Sequence, residues 1–375
     1  MSEIKKNIKA DGKMSFLITF ADCKLQNHSN MSEVYQKESE FSIDLIPEPE
    51  NIEDVIYSLM VNPNLSSINY FNDFGELNIS PDSIGDSESD DTGLFDTGLN
   101  GSKMLMSTHA FHHHLQNDPQ KATEILISRA ARKMICFGAK PTIVSAFLYH
   151  IDFGDPNGQF IASGAKNGLE NAATKFGLKI ADRKIRFDHF SQHGPVPPTI
   201  IISMVGFIEK ENVTTHSLKK KGNNIFLIGR NSDDIGTSEY LEFYHEISDS
   251  PLPEFNIQDE ILVQKAVTKL NEMKLAESAS PVGKGGLFFT LLRAAIPNEL
   301  GFDITTAAET RIDSFLFGEA MGRIIVEVSP ENEDELVDVL YDLKVPFFTL
   351  GHVTKGEIRI DDESYGYVDK MTAGV

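Results

Sequence analysis

Three scarcities bound what this chain can be. Cysteine occurs twice in 375 residues, at Cys23 and Cys136, a spacing that forms neither a disulfide framework nor a metal knuckle. A reducing compartment is therefore expected. Basic side chains are short in supply, 34 Lys+Arg against 56 Asp+Glu, for a formal net charge of −22. Nucleic acid and anionic membranes both need a basic face, so neither is expected as a partner. Long apolar runs are lacking too. The run near the N-terminus, Phe16-Leu-Ile-Thr-Phe-Ala21, is too short for a signal-peptide core or a membrane span. Secretion and membrane insertion by these routes are excluded, and the cytoplasm is the expected location.

What is present is an ordinary globular composition, 41% hydrophobic, in a chain long enough for two domains with their own cores. Residues 1–80 carry few signals. A strand is predicted over Phe16–Phe20. A helix is predicted over 51–60, with apolar residues at Ile52, Val55, Ile56, Leu59 and Met60. Residues 81–100 read as an acidic linker. Its first part, Pro81 to Thr92, is rich in serine and acid and offers almost nothing to bury.

From residue 101 the chain becomes regular. Met104–Ser107 starts a strand, Ala122–Phe137 a helix stopped by Gly138, and Thr142–Tyr149 a strand. A turn-rich loop over 152–157 leads to a helix over Ile161–Phe176 closed by Gly177. Thr199–Ile208 reads as a strand buried on both faces or at a dimer seam. This makes one α/β (α+β) domain over 101–212. A second, over 213–365, follows the polar connector His216–Gly222. It alternates strands (Asn224–Ile228, Arg323–Val328, Phe347–Val353, Glu357–Ile360) with helices over Ile257–Leu275, Gly286–Ala295 and a segment ending at Leu343. Ser329-Pro330 supplies an N-cap and first-turn proline for that last helix.

Few constellations carry chemistry. His109 with His112, His113 and His114 gathers imidazoles. Three consecutive residues cannot all face one ion and no carboxylate pair completes a ligand set, so no metal site is assigned. Gly283-Lys-Gly-Gly286 before a helix offers backbone amides to a phosphate, or is simply a tight turn; it is not a Walker A loop. Arg129 and Lys133 lie one helical turn apart and, with Lys103 and His109, form either an anion site or a solvated face. Cys136 reads as a small buried hydrophobe. No catalytic residue is assigned, because no Ser-His-Asp or Cys-His spacing can be argued.

Five segments, in order over residues 103–362, carry a resemblance: Ala130-Ala-Arg-Lys-Met-Ile-Cys-Phe-Gly-Ala-Lys-Pro141, Asp152-Phe-Gly-Asp-Pro156, Gly236-Thr-Ser-Glu-Tyr-Leu241, Gly285-Gly-Leu287 and Leu316-Phe-Gly-Glu-Ala-Met-Gly-Arg323. On these the chain resembles the aminoimidazole ribonucleotide (AIR) synthetase superfamily, and within it the second half of formylglycinamidine ribonucleotide (FGAM) synthetase of purine biosynthesis. The resemblance implies the two-domain AIR-synthetase-like fold and a homodimer closed through a shared β-barrel. It also implies ATP or ADP as ligand, with Asp152, Gly285 and Gly286 joining Lys103, His109, Arg129 and Lys133 as candidate ligand-binding residues.

The same resemblance implies a change of chemistry. Where the family carries a magnesium-binding aspartate, this chain has His109. Where it carries a glutamate and an asparagine on the next helix, it has Arg129 and Lys133. A His-Asp pair becomes Ser280-Pro281, and a Ser-Gly-Asn loop falls near Asp182-Arg-Lys184. Mg²⁺ needs hard oxygen ligands, so no magnesium site is recognisable. Counterparts of the family's catalytic first half and of its glutaminase cysteine are not found. Three readings stay open: a non-catalytic relative that binds a phosphate-bearing ligand, an active ATP-dependent C–N ligase of purine biosynthesis, and a scaffold companion of a larger synthetase.

Overall fold

The computed structural model describes residues 17–19, 41–65, 92–97, 102–111, 115–209 and 213–372. His112, His113, His114 and the acidic residues 81–91 lie outside the described residues. The first half of the chain contributes β1 (Leu17–Thr19), α1 (Ile52–Met60), β2 (Thr92–Asp96), β3 (Ser102–Phe111), α2 (Pro119–Cys136), β4 (Lys140–Tyr149), α3 (Pro156–Phe176), β5 (Lys179–Arg186), the short pair β6 (Phe190–Ser191) and β7 (Gly194–Pro195), and β8 (Thr199–Glu209). Six of these strands form one sheet in the order β1-β5-β4-β8-β3-β2. In it β4 and β5 run parallel and the other neighbours antiparallel.

Local chemistry sets where its helices begin. Asp118 accepts the Lys121 amide with Pro119 at the first helical position, and Asp155 accepts the Asn157 amide with Pro156 in that place. Both helices therefore start before the apolar periodicity does, and the last two residues of the loop expected over 152–157 are already helical. α3 ends on Gly177 at φ 68°, the left-handed cap expected from sequence. Both helices cover the same face of the sheet. On β8, Ile200, Ile202, Met204 and Ile208 are buried beneath them. Phe207, 41% exposed, and Val205 look the other way. Within the chain β8 is thus buried on one face, which corrects the two-face expectation.

The second half contributes β9 (Asn224–Ile228), α4 (Ile257–Glu272), β10 (Ser278–Pro281), α5 (Gly286–Ala295), β11 (Gly301–Ile304), α6 (Ile312–Phe317), β12 (Ile324–Val328), α7 (Glu333–Leu343), β13 (Phe347–Thr354), β14 (Glu357–Ile360), β15 (Glu363–Tyr367) and α8 (Val368–Thr372). Its sheet runs β10-β12-β9-β13-β11-β14-β15. Helices lie on both faces. Ile225, Leu227 and Ile325 pack with α1, α5 and α6, while Phe226, Ile228, Ile324 and Val326 pack with α4 and α7. This is why β12 is buried at every position. Its one charge, Glu327, accepts from the Lys219 and Lys220 amides, Asn223 Nδ2 and Ser278 Oγ, and so pins the connector before β9. Ser329 makes no side-chain cap; a short 3₁₀ turn over Pro330–Asn332 intervenes and α7 starts at Glu333.

Two sequence boundaries need correction. Of the segment 1–80, whose fold the sequence leaves unclear, Leu17–Thr19 joins the first sheet, and residues 41–65 belong to the core of the second half. Val55, Ile56 and Leu59 are fully buried there, and Arg311 Nη1 donates to the carbonyls of Ile43 and Ile46 at 2.9 and 3.0 Å. Residues 92–96, placed in the acidic linker, form β2 and pair along β3, because backbone ladder bonds do not depend on side-chain apolarity.

Helix α2 joins the halves. Ile135 and Cys136 at its end sit in the cluster formed by α4 and α7. Burial pushes the Cys136 thiol well above the usual range, which keeps it neutral. Gln264 and Asn271 of α4 donate to the Ser128 and Ile135 carbonyls at 3.2 and 2.9 Å. Between them Arg132, 1% exposed, forks onto Glu260 at 2.8 and 3.1 Å and reaches the Val282 carbonyl at 3.1 Å. Removing one member leaves a buried charge unpaired. Arg132→Ala and Glu260→Ala should each cost about 3–5 kcal/mol in urea unfolding. The Arg132→Met/Glu260→Leu double variant should cost less than either, since no orphan charge remains.

Candidate functional site

The polar seam below α2 is assembled from four segments that the sequence separates widely. The first is the turn entering α5. Gly285 and Gly286 sit at φ 78° and 72°, and a Cβ on Gly286 would lie 2.6 Å from the Leu316 carbonyl oxygen, so only glycine fits. The second is the Gly236–Leu241 turn, which Ser238 closes by donating to the Ile235 carbonyl at 2.6 Å. The third is Leu316–Arg323, which carries Glu319. The fourth is the loop after α1, which carries Asn62 and Asn64.

Glu319, 4% exposed, is the hub. Its Oε1 accepts the backbone amides of both Glu239 and Gly285 at 3.0 Å. Burial pushes its carboxyl above the usual range, opposed by Arg129 and by the two amides. The Glu239 carboxylate is held separately: Lys284 Nζ lies 3.1 Å away, and Asn62 and Asn64 donate at 2.9 and 3.1 Å. Burial alone would raise its pKa, but Lys284 and the two amides outweigh it and hold the carboxyl below its ordinary value. Arg129 Nε donates to Met321 Sδ at 3.4 Å; burial lowers its pKa and Glu319 opposes that. Arg323 is fully buried, its Nη2 donates to the Gly318 carbonyl, and burial brings it down to about 10.

The residues singled out from sequence distribute unevenly. Arg129, Gly285 and Gly286 do meet, around Glu319. Arg129 is half-buried, so the solvated-face reading of its helix fails there. Two amides of the glycine turn are already engaged: Gly285 donates to Glu319, and Gly286 to the Gly283 carbonyl at 2.9 Å. Lys133 lies one turn along α2, half-buried. Lys103 and His109 both lie on β3, six positions apart, which at strand rise separates them by about 20 Å. They do not close on one anion. His109 Nε2 lies 3.2 Å from Ser107 Oγ. Asp152 serves the entry to α3, where Oδ1 accepts the Gly154 amide at 2.9 Å and Oδ2 lies 3.4 Å from His189 Nε2.

Sequence reasoning missed the members that organise the seam. Arg132, Glu239, Glu319 and Arg323 all lay within the quoted segments, but nothing in spacing says which charge meets which. Asn62 and Asn64 carried no signal, since their role exists only through Glu239, 177 and 175 residues away.

Comparison with known proteins bears on this geometry. The family model "AIR synthase related protein, N-terminal domain" matches residues 89–208, and "AIR synthase related protein, C-terminal domain" matches residues 220–362. Phosphoribosylformylglycinamidine synthase subunit PurL of Alkaliphilus metalliredigens is 26% identical over 342 residues, 88% of this chain and 46% of that protein. The same subunit of Caldanaerobacter subterraneus subsp. tengcongensis is 30% identical over 256 residues, 67% and 34%. The chain thus spans less than half the length of these relatives. Among solved structures, Thermotoga maritima PurL complexed with FGAR superposes with a TM-score of 0.66 at 13% identity, covering 88% of this chain and 54% of that one. That likeness shows the fold. With both family models matched in order along a fold of this architecture, the chain belongs to the AIR synthase related family, on the PurL-like side of it.

Proposed function

We propose that this PurL-like chain keeps the scaffold of a purine-biosynthesis enzyme but binds a phosphate-bearing ligand without magnesium and without catalysing ligation. One observation carries the reading: the seam's carboxylates are engaged by the chain's own cations and amides. Glu260 holds Arg132, Glu239 holds Lys284, and Glu319 accepts two backbone amides with Arg129 in electrostatic range. A magnesium ion bridging phosphates needs carboxylate or carbonyl oxygens turned to it, and this donor set does not fit one. No metal-dependent phosphoryl step is assigned. Arg129 and Lys133 are the residues proposed to draw a phosphate to α2. Thermotoga maritima PurL is solved in complexes with ATP and with ADP, which supports a nucleotide as the ligand class.

A homodimer is part of the proposal. Among the described residues nothing covers the sheet face opposite α2 and α3, and it carries Met106 and Phe207, 39% and 41% exposed, with Val205 beside them. The scaffold reading would use the same face for a larger partner.

Calorimetric titration with ATP and ADP should give an affinity unchanged by Mg²⁺. The Arg129→Ala/Lys133→Ala variant should weaken it by about ten-fold or more, roughly 1.4 kcal/mol. Because Arg129 is half-buried, circular dichroism should accompany that variant. Mg-ATP-dependent formation of FGAM or AIR by the purified chain would replace this reading with the active C–N ligase. Sedimentation at micromolar concentration should give a dimer that Phe207→Glu converts to monomer; a wild-type monomer ends the dimer claim and leaves the scaffold reading in its place.

A further inference from the structure

The entry to α5 has the parts of an oxyanion hole, and the part that fills it belongs to the protein. A ten-residue helix begins at Gly286 with no side-chain cap, its positive end turned to the seam. Its cap amide, Gly285, and a second amide from the Gly236–Leu241 turn, Glu239, converge on a single oxygen, Glu319 Oε1, both at 3.0 Å. Two donors on one oxygen atom is the arrangement by which proteins hold a bound carboxylate or phosphate oxygen.

Two arginines besides the Arg132–Glu260 pair lie in the electrostatic surroundings of Glu319. Arg132 and Glu260 pair with each other at 2.8 Å. That leaves Arg129 and Arg323 in electrostatic range of Glu319, with Asp234 acting on Arg323 as well. Arg323 is fully buried and sits against the Gly318 carbonyl through Nη2, yet its Nε and Nη1 are buried without a hydrogen-bond partner. Buried guanidinium donors are seldom left idle, because desolvating them without a partner is unfavourable. Here two such donors stand unsatisfied four residues along the chain from Glu319, whose Oε1 already accepts two backbone amides.

We propose that Glu319 is a tethered ligand: its carboxylate occupies an oxyanion hole made by the Gly285 and Glu239 amides, Arg129 and Arg323, and an external carboxylate or phosphate enters only when that side chain leaves. Binding at the seam is then self-limited, with an effective concentration of internal competitor that no free anion matches easily. The inference stands whether or not the chain binds a nucleotide, because its probes are simple anions.

The test truncates the occupant. Glu319→Ala should melt at a lower temperature than wild type. Formate, acetate or inorganic phosphate, each against sodium chloride at equal ionic strength, should restore the midpoint saturably, following ligand linkage. Rescue by formate and acetate alone marks a carboxylate hole, and rescue by phosphate marks one that admits phosphate groups. Adding Arg323→Met, close in volume, should remove the rescue. An equal response to all four salts overturns the proposal. If the alanine variant fails to fold, Glu319→Gln keeps the volume and an acceptor oxygen but not the charge. It should bind inorganic phosphate about ten-fold or more tighter than wild type, since a like charge has gone; unchanged or weaker binding overturns the proposal equally.

Discussion

Everything below α2 depends on the buried pair between Arg132 and Glu260. It lies where α2 of the first half crosses α4 of the second, with both side chains 1% exposed. The fork does more than neutralise two charges. It fixes the rotation of α2 about its axis, and that rotation decides where Arg129 points. It also reaches the Val282 carbonyl, which ties the same helix to the strand leading into the glycine turn. Such pairs contribute little net stability compared with apolar packing, but they penalise any other register strongly. The seam between the halves is therefore specified by charge and filled by hydrophobic burial.

The logic of that seam is internal neutralisation. Lys284 stands beside Glu239, Arg129 beside Glu319, and two asparagines from the loop after α1 complete the Glu239 shell. A chain with a net charge of −22 has thus concentrated arginine and lysine where its buried acids lie. In a low-dielectric interior an acid left alone would have to take up a proton or stay solvated. Supplying each one with a cation or with backbone amides removes that demand. It also engages those carboxylates within the chain, which is the physical basis of the proposed loss of magnesium chemistry.

The loop after α1 shows how far the second half extends. Its asparagines hold Glu239, and α1 buries Val55, Ile56 and Leu59 in the same core as α5 and α6. Arg311 then ties Ile43 and Ile46 down through their carbonyls and lies 3.8 Å from Glu48. A segment that looked peripheral in sequence is a structural part of the seam. The first sheet, by contrast, has spent its helices on one face, and the apolar side chains of β3 and β8 on the other face set the terms for any partner.

The sequence by itself determined the local structure and the lineage. Apolar periodicity and glycine at helix ends placed most elements within a few residues. Ordered segments such as Ala130–Pro141 and Leu316–Arg323 identified the family, because such signals act between near neighbours and survive without knowing the fold. Strands with little apolar content escaped: β5, Lys179–Arg186, carries charges outward and hides one fully buried residue, Ile185. Only the tertiary structure decided the site. Arg132 and Glu260 are 128 residues apart, and Glu319 meets amides 80 and 34 residues away. Nothing in spacing encodes such meetings. Lys103 and His109 looked like partners because they are close in sequence, and a straight strand holds them apart. For Arg129 the sequence left an anion site and a solvated face open, and contact with Met321 of the second half leaves it half-buried.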